Sequence, residues 1–335
     1  MEKGYFAAAN TTGGFVSYYN DTFRGCDRIY VIKGGSGTGK SRFMRAVAEY
    51  VKRLPECQSV EYFYCSFDPN SLDGIIINEK TAIIDGTAPH VYEPTMPGAR
   101  EDIVDLGRFW DRDRLMEKRE DLNRLFSQKR SHFARAYKYL GAYGELDGVK
   151  QAIVLEYADF EKIRAEAAKL VSEIGTDGEG DRKIRLVSAV GRDGRVELDT
   201  YEKYAGRIIE IPDAHGSAHI FLTAVIDEAA RFSLPISVSY DPLFVNRPNA
   251  VLVDSVAIVA RGNADGDMYF KKGISVETNR IKRINALQGE LLLEGTEEFR
   301  RAARVHFGIE EIYVGSMDFK RKEEFTAEFI AGLKI

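Results

Sequence analysis

The hydrophobic pattern near the N-terminus predicts a strand, a loop and a helix in immediate succession. Residues 28–33 form a short β-rich run, and residues 34–41 are dominated by glycine. Apolar side chains then recur at helical spacing until Pro55. The sequence RIYVIKGGSGTGKSRFMRAVAEYV therefore predicts a β-strand that enters a glycine-rich loop and a helix that leaves it.

This loop fits the phosphate-binding pattern G-x-x-x-x-G-K-[ST], the Walker A motif, at every fixed position. Glycines let backbone N–H groups approach phosphate oxygens, and the positive end of the following helix points at the same anion. We expect Lys40 to reach the β- and γ-phosphates and the Ser41 hydroxyl to coordinate magnesium. The predicted nucleotide-binding residues are Gly34, Gly35, Ser36, Gly37, Thr38, Gly39, Lys40, Ser41 and Arg42.

A second apolar run, residues 81–84, leads directly into Asp85. A strand that ends in aspartate is the expected magnesium-binding partner of a phosphate loop, although an Asp-Gly turn is the ordinary alternative. Thr87 and His90 follow, where they could position a water or sense the γ-phosphate; His90 could equally be a satisfied loop residue. The predicted catalytic residues are Lys40, Asp85, Thr87 and His90, and the predicted metal ligands are Ser41 and Asp85.

The residue after Asp85 is Gly86, not glutamate. The usual general base of Asp-Glu ATPases is therefore missing from that position, and we expect hydrolysis to be slow or assisted. Farther along, residues 113–174 show helical spacing that is interrupted by glycines at 141, 144 and 148, which predicts a helical hairpin. Most of the arginines between residues 112 and 130 are expected to face solvent. One of them is a candidate lid residue that reaches phosphate.

The second half of the chain repeats the first. Residues 206–229 align with residues 27–50 without a gap, and three shorter matches follow in the same order. An internal duplication explains all four matches.

We therefore predict an α/β protein with the P-loop NTPase fold duplicated in tandem: residues 1–176 and 183–335 each form a mainly parallel sheet flanked by helices, with a helical hairpin. A linker, residues 175–182, joins the two, which are expected to pack as a pseudo-dimer. The three shorter matches pair 238–242 with 65–69, 256–260 with 81–85, and 316–325 with 157–166.

The second copy has lost the residues that carry the chemistry. His219 aligns with Lys40, and Ala260 aligns with Asp85. An aspartate also stands where phosphate would lie, so the second half is predicted to be a non-binding pseudo-copy. Asp68 survives in both copies, which indicates a structural turn residue in preference to a general base. The changed loop positions are Asp213, Ala214, Ala218, His219 and Ile220.

Composition and charge limit the number of domains, the kinds of partner and the location that we expect. A chain of 335 residues with 44% hydrophobic residues and a net charge of -5 suggests about two domains and gives no sign of a nucleic-acid or anionic-membrane surface. No apolar run reaches membrane-spanning length and the start lacks a signal peptide's apolar core, so a cytoplasmic location is expected. The three cysteines read as buried free thiols. His215 and His219, four apart, would share a helix face, but no third zinc ligand accompanies them.

The segments GGSGTGKS, CSFDPNSLDGIII and AIIDGTAPHVYEP, with the Asp-Phe helix starts, resemble a poorly characterised bacterial family of tandem P-loop, ATPase-like proteins. The resemblance covers nearly the whole chain and is strongest over residues 5–100. It implies ATP binding and hydrolysis. In that family both halves can carry a phosphate loop and a D-[GS]-T-A-P-H segment, and this sequence departs from the pattern in its second half.

The leading functional hypothesis is an ATPase that binds Mg²⁺ and ATP in the first half only. ATP is favoured over GTP because no Asn-Lys-x-Asp motif follows, and no ABC-type Leu-Ser-Gly-Gly signature is present. One alternative is a small-molecule kinase for a nucleoside or metabolite, in which Asp68 or His90 would activate the acceptor. Another is an ATP-sensing regulatory or scaffold protein with little turnover. The physiological substrate, a further protein partner and the oligomeric state are left open.

Overall fold

The computed structural model describes residues 2–261, residue 274 and residues 277–333. The first half opens with β1 (Glu2–Phe6), β2 (Ala8–Thr11), β3 (Gly14–Ser17), α1 (Tyr19–Phe23), β4 (Arg28–Lys33) and α2 (Lys40–Val51). It continues with β5 (Val60–Tyr64), β6 (Leu72–Ile77), β7 (Thr81–Asp85), β8 (Glu101–Asp105), a 3₁₀ turn (Gly107–Phe109), α3 (Arg112–Glu117), α4 (Arg119–Tyr157) and α5 (Phe160–Ile174).

The second half follows nearly the same order of elements. Its members are β9 (Arg182–Ile184), β10 (Ser188–Gly191), β11 (Gly194–Glu197), α6 (Thr200–Tyr204), β12 (Arg207–Pro212), α7 (Ala218–Arg231), β13 (Ile236–Asp241), β14 (Phe244–Val253), β15 (Val256–Arg261), α8 (Thr278–Val314) and α9 (Phe319–Gly332).

Each half builds one mixed sheet. The first has the order β1-β5-β6-β7-β4-β8, and the second has the order β9-β13-β14-β15-β12. In both, the outer pairs are parallel and the inner hairpin strand, β6 or β14, is antiparallel to its two neighbours. The second sheet thus reproduces five strands of the first in order and direction, and the α/β class predicted from sequence is confirmed.

The two sheets face each other across a shared core. Phe63 and Ile84 of the first sheet and Ala257 and Val259 of the second belong to one buried cluster, with Tyr201 of α6 between them. Helix α2 covers the outer face of the first sheet because its apolar side chains recur every three or four residues and are fully buried. Helices α5 and α7 cover the outer face of the second sheet. The result is a layered arrangement of helices, sheet, sheet and helices.

The long helices connect the halves. Helix α4 packs along α8 in the opposite direction, since Lys129 meets His306 near one end and Asp147 meets Gln288 near the other. Helix α5 of the first half packs on α7 of the second. Helix α9 of the second half packs on α2, where Phe329 lies 5.0 Å from the ring of Phe43. Each half therefore covers part of the other.

Two sequence-based expectations about the helices are wrong. The predicted break at glycines 141, 144 and 148 does not occur, because α4 runs without interruption to Tyr157. The chain turns instead at Ala158, and Asp159 caps the next helix by accepting a hydrogen bond from the Lys162 N–H. The helices expected to form a hairpin within the first half pack mainly on helices of the second half. None of the helices within the described residues is long and apolar enough to cross a membrane.

Candidate functional site

The strand, loop and helix predicted around the Walker A motif are present. Strand β4 ends at Lys33, loop 1 (residues 34–39) follows, and α2 begins at Lys40. Gly37 and Gly39 have φ values of +72° and +77°, in the left-handed region that glycine adopts most readily. A Cβ on Gly37 would also lie 3.1 Å from the backbone oxygen of Glu310 in α8. The loop is therefore built on glycine for both its conformation and its close approach to α8.

Lys40 folds back over this loop. Its Nζ donates hydrogen bonds to the carbonyl oxygens of Gly34 and Gly35, at 2.9 and 2.8 Å. The same Nζ lies 3.4 Å from Oδ2 of Asp85, with both side chains largely buried. The amine is thus held at the loop, beside the carboxylate at the end of the neighbouring strand.

The position of Asp85 follows from strand pairing. Asp85 is opposite Ile32 on the adjacent parallel strand, so its side chain emerges where loop 1 begins. Oδ1 of Asp85 accepts hydrogen bonds from the N–H and the hydroxyl of Thr87, which fixes the carboxylate. Ser41 Oγ accepts a hydrogen bond from Leu72 N–H at 3.1 Å. Of the remaining predicted binding residues, Thr38 is buried and its hydroxyl donates a hydrogen bond to the Gly35 carbonyl at 3.0 Å.

The side chain of Arg42 takes part in the packing of α2 against α9. It is 80% exposed and lies 3.7 Å from Glu323 of α9. The backbone N–H of Arg42 lies in the first turn of α2, so its predicted contact with a nucleotide would be made by the backbone.

His90 lies in the segment after β7 and packs among aromatic side chains. It is buried, stacked on Tyr19 with ring centroids 4.9 Å apart, and in edge contact with Phe15. Its Nε2 lies 3.2 Å from Oδ2 of Asp73, a residue of β6 that sequence reasoning assigned to a turn. Burial raises the pKa of the Asp73 carboxyl to about 6, and the charge of His90 opposes this effect. His90 therefore belongs to a buried ionisable cluster beside the loop.

Two cations near loop 1 were not found from sequence. Lys129 of α4 lies 3.0 Å from Nδ1 of His306, and burial lowers the pKa of its amine. Arg192, in the turn between β10 and β11 of the second half, forms an ion pair with Asp68 at 2.7 Å. Lys129, Lys40 and Arg192 all act electrostatically on Glu310 of α8. Cations from three separate parts of the chain thus gather around the same end of α8.

Asp68 supports this arrangement as a turn residue. It accepts hydrogen bonds from the N–H of Asn70 and the hydroxyl of Ser71, as expected for a structural aspartate. The backbone N–H of Arg192 donates to the carbonyl of Phe67 at 3.1 Å. Backbone and side chain of Arg192 are therefore both anchored on the first half.

The corresponding loop of the second half, loop 2 (residues 213–218), forms a hydrogen bond between its own residues. Oδ1 of Asp213 accepts a hydrogen bond from the N–H of Ala218 at 2.8 Å, at the start of α7. Burial raises the pKa of Asp213 to about 6. Gly216 retains a φ of +70°, like Gly37, but its neighbour is Lys150 of α4. A carboxylate of the protein itself therefore occupies the N-terminus of α7.

A cavity of about 450 Å³ borders loop 2 and contains charges of both signs. Arg247 pairs there with Asp147, and Arg195 pairs with Asp241. These charged side chains of the cavity are thus already paired with opposite charges of the protein.

The histidines near loop 2 do not share a helix face as expected. His215 lies in the loop before α7, and His219 is in its first turn, where burial lowers the pKa of the imidazole to about 4. Thr87 and His90 have no counterparts in the sequence of residues 261–265, and residues 262–265 lie outside the described part of the chain. All three cysteines are free thiols, but only Cys26 is buried, so the expectation of buried thiols is wrong for the half-buried Cys57 and Cys65. Cys65 lies close to Asp73 and His90 in the first half.

Comparison of this chain with protein-family models, with curated proteins and with solved structures finds no match.

Proposed function

We propose that the protein is an ATP-binding P-loop NTPase that hydrolyses ATP with Mg²⁺ at loop 1. The observation that carries this proposal is the position of Lys40, held on the loop carbonyls and 3.4 Å from Asp85. In this role Lys40 neutralises phosphate charge, while Ser41 and Asp85 hold the magnesium ion and its water shell. Thr87 orients Asp85 through its two hydrogen bonds.

The cations around α8 support phosphoryl transfer. The transition state spreads negative charge over the phosphoryl oxygens, and fixed positive charges in a partly dry site stabilise it. Lys129 contacts the uncharged-ring nitrogen Nδ1 of His306 at 3.0 Å and interacts with Glu310 through charge, without a carboxylate at ion-pair distance among the described residues. An incoming phosphate would give this amine the anionic partner that it lacks.

We also infer that the two halves arose by tandem duplication. The matching strand orders and directions support this, as do the paired helix caps Asp159 and Asp318. In this interpretation the second half is a pseudo-copy whose phosphate position is taken by Asp213. It does not bind a nucleotide but completes the first site.

The first test is Mg²⁺-dependent ATP binding and ADP release by the purified protein and by Lys40→Ala. We expect release to fall by about 100-fold or more, because a charge aimed at the transition state is lost. His219→Ala, at the aligned position of loop 2, is the matched control and should behave like the wild type. Failure to bind ATP, or release that does not depend on Lys40, would contradict the proposal.

A parallel reaction with a pool of metabolites separates the alternatives. ADP release without additions indicates hydrolysis. Release only in the presence of the pool indicates a small-molecule kinase, and tight binding with neither indicates an ATP sensor.

A further inference from the structure

Three side chains of the types that bind transition metals converge beside loop 1. Cys65 follows β5, Asp73 lies in β6, and His90 lies in the segment after β7. One sulfur, one oxygen and one nitrogen atom from these residues all lie within 4.8 Å of one another. The closest pair is Asp73 Oδ2 and His90 Nε2, at 3.2 Å. Neighbouring strands of one sheet therefore bring together residues that are far apart in sequence.

Two of the three donors are buried, and one polar atom of the cluster lacks a partner. Asp73 is 4% exposed and His90 is 6% exposed, whereas Cys65 is half-buried. Nδ1 of His90 has no hydrogen-bond partner among the described residues. The Asp73 carboxylate contacts the other two donors, since its Oδ2 lies 3.2 Å from His90 Nε2 and the Cys65 thiol hydrogen-bonds to it. A bound cation would replace these contacts with direct bonds to all three donors.

The surroundings hold these donors in place. Tyr19 stacks on His90 and its hydroxyl donates to the backbone carbonyl of Asp73 at 3.1 Å. Phe15 contacts the other side of the imidazole ring, with centroids 5.0 Å apart. The site is thus pre-organised by packing that acts on two of its three donors.

We propose that Cys65, Asp73 and His90 bind a divalent transition metal ion, with Zn²⁺ the best chemical match. A donor set of thiolate, carboxylate and imidazole suits zinc, whereas Mg²⁺ and Ca²⁺ select sites made of oxygen alone. Bonds of about 2.0–2.3 Å at a tetrahedral centre put ligand atoms roughly 3.3–3.8 Å apart. Binding therefore draws the cluster together by about 1 Å at its widest and displaces the Cys65 thiol proton.

The proposed site is distinct from the magnesium position but adjoins it. Leu72, next to Asp73, donates its N–H to Ser41 Oγ. Three protein ligands leave the fourth tetrahedral position for water or a substrate group, as in catalytic zinc sites.

The second half lacks the same donors. In the sequence alignment Val238 stands at the position of Cys65. Strand β14, the counterpart of β6 in the second sheet, has the sequence FVNRPNAVLV and contains no carboxylate, thiol or imidazole. This comparison relies on the inferred duplication. The metal-binding side chains are present only in the half that keeps the phosphate loop.

The test is a titration of chelator-treated protein with Co²⁺, followed by competition with Zn²⁺. We expect one ion per chain and the charge-transfer absorption of a cobalt–thiolate bond. Cys65→Ser should abolish that absorption, and Cys65→Ser and His90→Gln should each weaken binding by at least about 100-fold. Cys57→Ser, which removes a thiol outside the cluster, should bind like the wild type.

Lys40→Ala should retain metal binding while it loses ATP turnover, so failure of this proposal is distinguishable from failure of the ATPase. No uptake by folded wild-type protein, or equal affinity in Cys65→Ser and Cys57→Ser, would overturn the site. If the variants do not fold, X-ray absorption of the zinc-loaded wild type decides: one sulfur ligand at about 2.3 Å supports the site and an all-nitrogen/oxygen shell refutes it.

Discussion

At the residue scale, the contrast between Gly34 and Asp213 separates the two loops. Loop 1 leaves its backbone N–H groups available to an anion, whereas Asp213 places a carboxylate on the N–H of Ala218. The carboxylate is stabilised by backbone N–H groups and Lys150, but burial and Asp241 act against its charge. Its raised pKa means that the folded state binds more protons than the unfolded chain between pH 4 and 6.

We therefore expect Asp213 to lower the stability of the protein as the pH rises through this window. Asp213→Asn keeps an oxygen for the Ala218 N–H but cannot ionise. The variant should match the wild type near pH 3 and exceed its free energy of unfolding at pH 7 by up to about 3 kcal/mol. Denaturant unfolding at several pH values measures this difference. A constant difference across the pH range would contradict the explanation.

The site residues that belong to short local motifs could be predicted from the sequence. Lys40 and Ser41 belong to one short motif whose spacing determines local geometry, and Asp85 follows from a simple strand pattern. Asp73 was misassigned because its strand contains Gly74 and follows a turn-rich segment. Lys129 and Arg192 reach the site through contacts across the chain that no local pattern encodes.

At the element scale, the uninterrupted α4 shows why glycine was a misleading signal. A Cβ on Gly144 would lie 2.9 Å from Cβ of Thr12 in the β2–β3 turn. The glycine therefore permits close packing of the helix on that turn, and does not end the helix. Its intrinsic cost of about 1 kcal/mol is small against the contact of α4 with α8. Tertiary packing keeps α4 continuous through its glycines. The local sequence pattern contains no information about that packing.

Helix α9 offers a direct test of packing between the halves. Phe329 contacts Phe43 of α2 and Tyr30 of β4, with ring centroids 5.0 Å away in both cases. Phe329→Ala should lower the free energy of unfolding by about 2–3 kcal/mol, less than for a fully buried phenylalanine. Leu293→Ala, on the exposed side of α8, is the control and should change it little. Equal effects in chemical denaturation would argue against α9 as a cover for the first half.

At the scale of the whole molecule, the second half contacts the surroundings of loop 1 through the turn that carries Arg192. The turn that brings Arg192 to the first half corresponds in element order to the β2–β3 turn, where Thr12 donates its N–H to Leu243 of the second half. Both turns reach across, but only the one beside loop 1 carries a cation. The two turns therefore differ in the charge that they bring to the other half.

Arg192→Ala should therefore slow ADP release by about 100-fold, because a positive charge near the transferring phosphoryl group is lost while Lys40 remains. Arg195→Ala is the matched control, since Arg195 lies in the same hairpin but pairs with Asp241 of its own half. Steady-state kinetics at saturating ATP measures the effect. If both variants lose activity equally, Arg192 has no special role.

The cover that α9 forms over α2 also has a consequence for synthesis of the protein. Ribosomes add about 5–20 residues per second, so roughly 15–55 s separate the emergence of Val51 from that of Gly332. During this time Phe43 of α2 has no partner from α9, and Arg192 and the end of α8 arrive only midway or late. The first half is therefore translated before the elements that cover it, and its exposed apolar surface is open to aggregation until α9 appears.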